Sequence, residues 1–176
     1  MVRLDLVRDK VSRLRDTAAW LRACLPEQAA AMTASRDVRD LVSFRVYLVM
    51  QEAIDLCSHV IADQGWGPVP SLRDHFTLLA EKGVLSSDLA GRLSAGVKLQ
   101  NLVGHGYAEV DPAKMKAAAG ELAALVDPFC SAILAFAESH PSCAAHQFSQ
   151  ETHKTSPPVR VAASVPQAAP ISRPPA

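Results

Sequence analysis

Apolar side chains return every three or four residues at the start of the chain, at Leu4, Val7, Val11, Leu14, Ala18, Leu21 and Leu25. That is the period of an amphipathic helix, and it predicts one over residues 3–24, ended by Pro26. From Asp37 to Asp63 the pattern thickens: Val38, Leu41, Val42, Val46, Leu48, Val49, Ala53, Ile54, Leu56, Val60 and Ile61 occupy more than one stripe. A helix apolar over so wide an arc needs neighbours on two sides, as in the middle of a bundle or at a subunit interface. Gly65-Trp66-Gly67-Pro68-Val69-Pro70 then reads as a loop. Ser71 caps a short third helix through Leu79 or Lys82, and Gly83 closes it. Ser86 or Ser87 starts a fourth helix, Asp88 to about Val103, with Leu89, Leu93 and Val97 turned inward and Leu99 and Leu102 less clearly so. Asp111-Pro112, a cap followed by proline at the first helical position, starts a fifth that runs to about Glu138, with Pro128 as the place where it would bend. Nothing alternates with period two for long enough to make a sheet. The pattern predicts an all-α, up-and-down bundle of about five helices.

The pattern stops near His140. Seven of the twelve prolines lie in residues 141–176, among Ser, Ala and Gln. Such a composition cannot bury enough apolar surface to offset the entropy of ordering, so a disordered tail is expected. The chain divides into a helical domain, 1–139, and a tail, 140–176. His140, His146 and His153 are too widely spaced for a metal site.

Composition narrows the partners. The 176 residues are 49% apolar, with 18 basic against 18 acidic side chains, enough for one core and without the overall charge that announces nucleic acid or membrane. A local patch gathered by folding or dimerisation remains compatible with RNA. Charges at Arg3, Asp5, Arg8, Asp9, Lys10, Arg13, Arg15, Asp16 and Arg22 rule out a signal-peptide core in the first 25 residues. No stretch is expected to span a bilayer, and a cytoplasmic protein is the simplest expectation. Cys24, Cys57, Cys130 and Cys143 form no Cys-x-x-Cys pair, against both zinc and a disulfide scaffold. Cys57 and Cys130 are expected to be packed.

Candidate chemistry concentrates at Gln100-Asn101-Leu102-Val103-Gly104-His105-Gly106-Tyr107. On a helix of 3.6 residues per turn, Asn101 and His105 share a face, Lys98 and His105 are nearly in line, and Gln100 stands about 140° from His105. Gly104 and Gly106 weaken the helix, so His105 and Tyr107 should sit where it ends, accessible to solvent. By spacing alone His-x-Tyr is a weak motif: His105 capping carbonyls and Tyr107 packing on the fifth helix would explain it as well.

The segment QNLVGHGYAEVD, Gln100 to Asp111, resembles the signature of the HEPN superfamily in its HepT-like form, Arg-Asn, three residues, then His-x-Tyr. Arg45 to Ala62 resembles that family's central helix and Ser71 to Val84 its following short helix and turn, so the likeness runs in order from about residue 5 to 138.

The resemblance implies a HEPN-like bundle that pairs as a homodimer, with the two motifs meeting in a cleft. It implies a toxin that cleaves RNA without metal or other cofactor and is neutralised by a minimal nucleotidyltransferase antitoxin, which transfers AMP to the motif tyrosine, here Tyr107. Metal-free cleavage needs a base for the 2′-hydroxyl, an acid for the leaving oxygen and positive charge beside the phosphorane. A histidine, with an ordinary pKa of about 6.5, serves as acid or base, which gives His105 its role. Asn101 is suited to hydrogen-bond a phosphate oxygen. The departure is Gln100, which stands where the pattern has Arg and lacks both the charge and the bidentate fork. Lys98 is the nearest substitute. Two readings therefore stay open: an active ribonuclease toxin using His105, Asn101, Gln100 and Lys98, or a weakened or inactive dimer that binds RNA or its partner. Asp55 and His59, four apart on the central helix, are candidates to support the cleft, against a purely structural polar pair. Arg39 and Arg45 are candidates to add charge, whereas Arg73 and His75 are expected to be solvated.

Overall fold

A computed structural model describes residues 3–106 and 111–140, and the side chains of all of these except 102–106. Six helices follow in order: α1 (Leu4–Cys24), α2 (Ala30–Ala34), α3 (Arg36–Gln64), α4 (Leu72–Glu81), α5 (Ser87–Gly106) and α6 (Pro112–Ser139). Among the described residues there is no strand, and the all-α bundle is as the periodicity predicts.

The sequence signals that start and stop these helices are visible as hydrogen bonds. Ser35 Oγ accepts from the Val38 amide, Ser71 Oγ from Asp74 and Ser86 Oγ from Leu89. Asp111 Oδ1 accepts from Ala113 at 2.8 Å, with Pro112 in the first turn. Each satisfies an amide that the helix geometry leaves without a partner. Gly65 ends α3 in the left-handed region, φ 65°, where its amide and that of Trp66 reach back to Ala62 and Ile61.

Two differences from the sequence reading have physical causes. The helix α2 adds a sixth element; its alanines carry high helix propensity but no periodic stripe, and Met32 alone anchors it in the core. The fourth helix of the sequence reading, α5, continues through Gly104 to Gly106 rather than ending near Val103; a glycine costs a helix roughly 1 kcal/mol, too little to stop one that is otherwise anchored. The helix α6 runs unbroken past Pro128 to Ser139.

Polar ties give the directions. Arg8 meets Glu138 at 3.1 Å, Arg15 meets Asp127 at 3.3 Å and Arg22 donates to the Ala123 carbonyl at 2.9 Å, so α1 and α6 are antiparallel. The Arg3 amide donates to Asp63 and Trp20 lies against Arg45, so α1 and α3 are antiparallel too. The helix α3 is the centre the pattern predicted, burying Val42, Val46, Val49, Met50, Ala53, Ile54, Leu56, Cys57, Val60 and Ile61. Phe76 of α4 meets Phe129 of α6 edge-on, centroids 6.1 Å apart, both fully buried. Cys57 and Cys130 are packed as expected; burial raises both thiols, Cys130 to about 11.

The reading that no stretch approaches the apolar length of a bilayer span is corrected. By length and composition α6 is apolar enough to cross a membrane, although 44% of its most apolar window is buried inside the bundle. It reads as the core helix of the fold, because Leu122, Val126, Phe129 and Ile133 form an inward stripe. The tail, residues 141–176, lies outside the described residues, and His140 at the end of α6 stacks on Phe136 at 4.2 Å.

Candidate active site

The helix α5 positions the candidate residues. Because it is continuous through Gly106, the 3.6-residue register applies to the whole motif as far as His105. Lys98, Asn101 and position 105 fall within about 60° of one another. Lys98 and Asn101 are exposed. The opposite side of the helix faces inward: a Cβ added to Gly96 would stand 2.7 Å from Met50 Sδ and 3.5 Å from Leu122. Glycine at 96 lets α5 lie close against Met50 of α3 and Leu122 of α6, on the side away from exposed Lys98 and Asn101. The His105 side chain is not among those described, and Tyr107 lies outside the described residues.

Gln100 is on the other side. It is only 4% exposed, and its Nε2 donates to Gln51 Oε1 on α3 at 3.3 Å. Gln51 Nε2 in turn donates to Asp55 Oδ1 at 3.2 Å. Of the four residues read as one catalytic group, Lys98 and Asn101 are thus exposed on one face and Gln100 is buried against a neighbouring helix. The signal was present, since Leu93, Val97 and Gln100 follow the i, i+4, i+7 spacing of a buried stripe. Gln51, which ties α5 to α3, was not singled out by sequence reasoning; its place four residues before Asp55 was the available cue.

Asp55 and His59 do not form the expected pair. His59 Nε2 lies 3.3 Å from Asp63 Oδ2, close enough for charge attraction but off-line for a hydrogen bond, while exposed Asp55 is engaged by Gln51. The i, i+4 rule allowed either partner for His59, and the one toward the helix C-terminus was taken. Arg45 stacks over Trp20, its guanidinium carbon 4.7 Å from the ring centroid. Arg39 is half-buried, its Nε without a hydrogen-bond partner. Arg73 is exposed, whereas His75 is half-buried with Nδ1 3.0 Å from the Ser71 carbonyl oxygen.

An apolar face lies on α3. Leu41, Phe44 and Tyr47 are exposed there, Phe44 by 54%, and Trp20 of α1 is 60% exposed beside them. Trp20, Ala23, Cys24, Leu41 and Arg45 line an open hollow of about 500 Å³. An exposed apolar cluster of this kind marks a surface that meets another molecule.

Comparison with known proteins supplies an independent line. The family model described as ribonuclease HepT-like matches residues 14–133. The mRNA nuclease HepT of Shewanella oneidensis is 31% identical over 74 residues, 42% of this chain and 56% of the relative. That alignment thus spans little more than half the length of the relative. A solved structure of tri-AMPylated Shewanella oneidensis HEPN toxin in complex with MNT antitoxin superposes with a TM-score of 0.68 at 21% identity, covering 74% of this chain and 98% of the toxin. The cytosolic protein YutE of Bacillus subtilis, of unknown function, superposes with a TM-score of 0.64 at 12% identity, covering 77% of this chain and 91% of YutE. At these identities the structural matches speak to the fold.

Proposed function

This chain belongs to the ribonuclease HepT-like family, and from that premise we propose that it is a metal-independent endoribonuclease toxin, held in check by a nucleotidyltransferase antitoxin. The observation that carries the reading is the unbroken α5, whose register sets exposed Asn101 and Lys98 on the same outward face as position 105. His105 takes the proton of a ribose 2′-hydroxyl, whose oxygen attacks the adjacent phosphorus. The bond to the 5′-oxygen breaks, and that oxygen takes a proton from a second imidazole. Asn101 donates to a phosphate oxygen. A single chain offers one motif imidazole, so the second comes from a second copy, and the exposed face of Leu41, Phe44 and Tyr47 on α3 is suited to join the two as a homodimer. Tyr107 is the acceptor of AMP, by analogy with the AMPylated toxin that shares the fold.

The test is cleavage of RNA by the purified protein in excess EDTA. Cleavage is expected, with loss of about 10²–10⁴-fold in His105→Ala. An intact substrate, or cleavage unaffected by the substitution, rejects the reading. Incubation with the partner and ATP is expected to add the mass of AMP to the chain but not to Tyr107→Phe.

Burial of a neutral Gln100 where the motif has Arg favours a second reading, an inactive dimer that binds RNA or its partner. It predicts partner binding and AMP addition without cleavage.

A further inference from the structure

We infer that Gln100 is a positioning residue that pins α5 to α3, and that Lys98 grips the RNA strand at the phosphate beside the scissile one; the inference rests on the ribonuclease reading. A carboxylate only accepts hydrogen bonds, so Asp55 fixes the orientation of the two amides that lead away from it. Gln51 must present Nε2 to Asp55, at 3.2 Å, and therefore presents Oε1 to Gln100, whose Nε2 donates at 3.3 Å. The series ends at Gln100 Oε1, which is buried without a partner. A side chain 4% exposed and committed to Gln51 does not reach a phosphate on the outward face. It fixes the rotation of α5 about its own axis, which decides where Asn101 and His105 point.

Lys98 lies about 200° round the helix from Gln100. It is exposed and, among the described residues, has no carboxylate within ion-pair distance. The cations nearest to it in sequence differ: Arg92 is tied to Glu121 and Asp88. Lys98 and position 105 are two helical turns apart, about 10.5 Å along the axis. That exceeds direct hydrogen-bond reach and suits a neighbouring nucleotide of an extended strand. Charge placed there holds substrate equally in the ground state and the transition state, and so acts on KM rather than on kcat. The phosphorane itself is left without the clamp of a motif arginine.

The experiment pairs two measurements on the full chain. Binding of a 2′-deoxy-substituted RNA oligonucleotide across a salt series reads Lys98 without requiring turnover. Lys98→Gln is expected to weaken it severalfold and to reduce the log–log salt slope by about 0.7, one phosphate contact on a single strand, while Lys98→Arg preserves both. With cleavable RNA, Lys98→Gln raises KM and leaves kcat within about twofold. Unchanged binding in Lys98→Gln, or the loss appearing instead in Lys114→Gln or Lys116→Gln on α6, overturns the assignment. For Gln100, a double-mutant cycle of Gln51→Leu and Gln100→Leu in urea unfolding is expected to show coupling between the two amides. Absence of coupling, or a gain of more than about tenfold in kcat for Gln100→Arg, overturns the pin. Wild-type chain that binds the oligonucleotide through Lys98 but cuts no RNA removes the ribonuclease reading and leaves the Lys98 contact standing.

Discussion

The seam between α1 and α6 and the seam between α3 and α5 are built on different terms. On the first, α1 buries Val7, Val11, Leu14, Ala18 and Leu21, Leu134 of α6 lies beside Val11, and the polar ties stand at the rim. On the second, buried Gln100 meets half-buried Gln51, Gly96 lies close to Met50, and Gln100 Oε1 is left without a partner. Among the described residues, every buried side-chain atom without a hydrogen-bond partner belongs to α3 or α5: Arg39 Nε, Asp40 Oδ1, Ser43 Oγ, Glu52 Oε2, His59 Nε2 and Gln100 Oε1. Such atoms each cost roughly 1–3 kcal/mol. The α1–α6 seam keeps its polar groups at the rim, whereas the α3–α5 seam takes Gln100, with its Oε1 unpartnered, into the contact.

The largest effect is expected from truncating the buried core of α6 where it meets α4. Phe129→Ala removes a fully buried ring that meets Phe76 edge-on, and about 3–5 kcal/mol of unfolding free energy should go with it. The exposed pairs on the α1–α6 seam should matter far less: Arg15→Ala, losing Asp127 at 3.3 Å, is worth under about 1 kcal/mol. Urea unfolding separates these outcomes. A loss in Arg15→Ala as large as in Phe129→Ala would mean that the rim pairs, not the buried rings, carry the stability of the bundle.

How far the sequence disclosed each seam follows from the same contrast. The stripes of α1 and α6 and the caps at Ser71 and Asp111 are local signals, and the structure has them where the period placed them. The helix α2 was hidden because five residues with one anchoring Met32 carry no period. At the site, the alignment of Lys98, Asn101 and position 105 was legible, since it needs only the pitch of a helix. The burial of Gln100 was obscured by its polarity, which suggested solvent although its register pointed inward. Spacing left the partner of His59 open, since Asp55 and Asp63 both lie four residues away and Gln51, four residues before Asp55, engages it as well.

A middle-sized effect is expected where the two helices come closest. Gly96→Ala puts a methyl 2.7 Å from Met50 Sδ. Better helix propensity, worth up to about 1 kcal/mol, is then set against overpacking of about 1–3 kcal/mol, with Met50 able to yield in part. Net destabilisation should be modest, but α5 is pushed outward at the level from which its site face is aimed. RNA cleavage per folded molecule should therefore fall more than stability does. Cleavage that simply tracks the folded fraction would show that the aim of α5 is insensitive to this contact.

The smallest effect gives the sharpest test of whether the buried side of α3 is short of partners. Ser43 is 1% exposed on α3, and its hydroxyl finds no hydrogen bond. Ser58, on the same helix, donates its hydroxyl to the Ile54 carbonyl at 2.9 Å. Both positions lie within the helix, so replacement by alanine brings the same propensity gain at each. They differ in what the hydroxyl was doing. Ser43→Ala removes a buried polar group that had no compensation and should leave the protein as stable or raise it by up to about 1 kcal/mol, whereas Ser58→Ala should fall below it by about the worth of one hydrogen bond. Equal unfolding midpoints for the two variants would mean that Ser43 is satisfied in solution by water, and that this part of α3 is wet rather than unsatisfied.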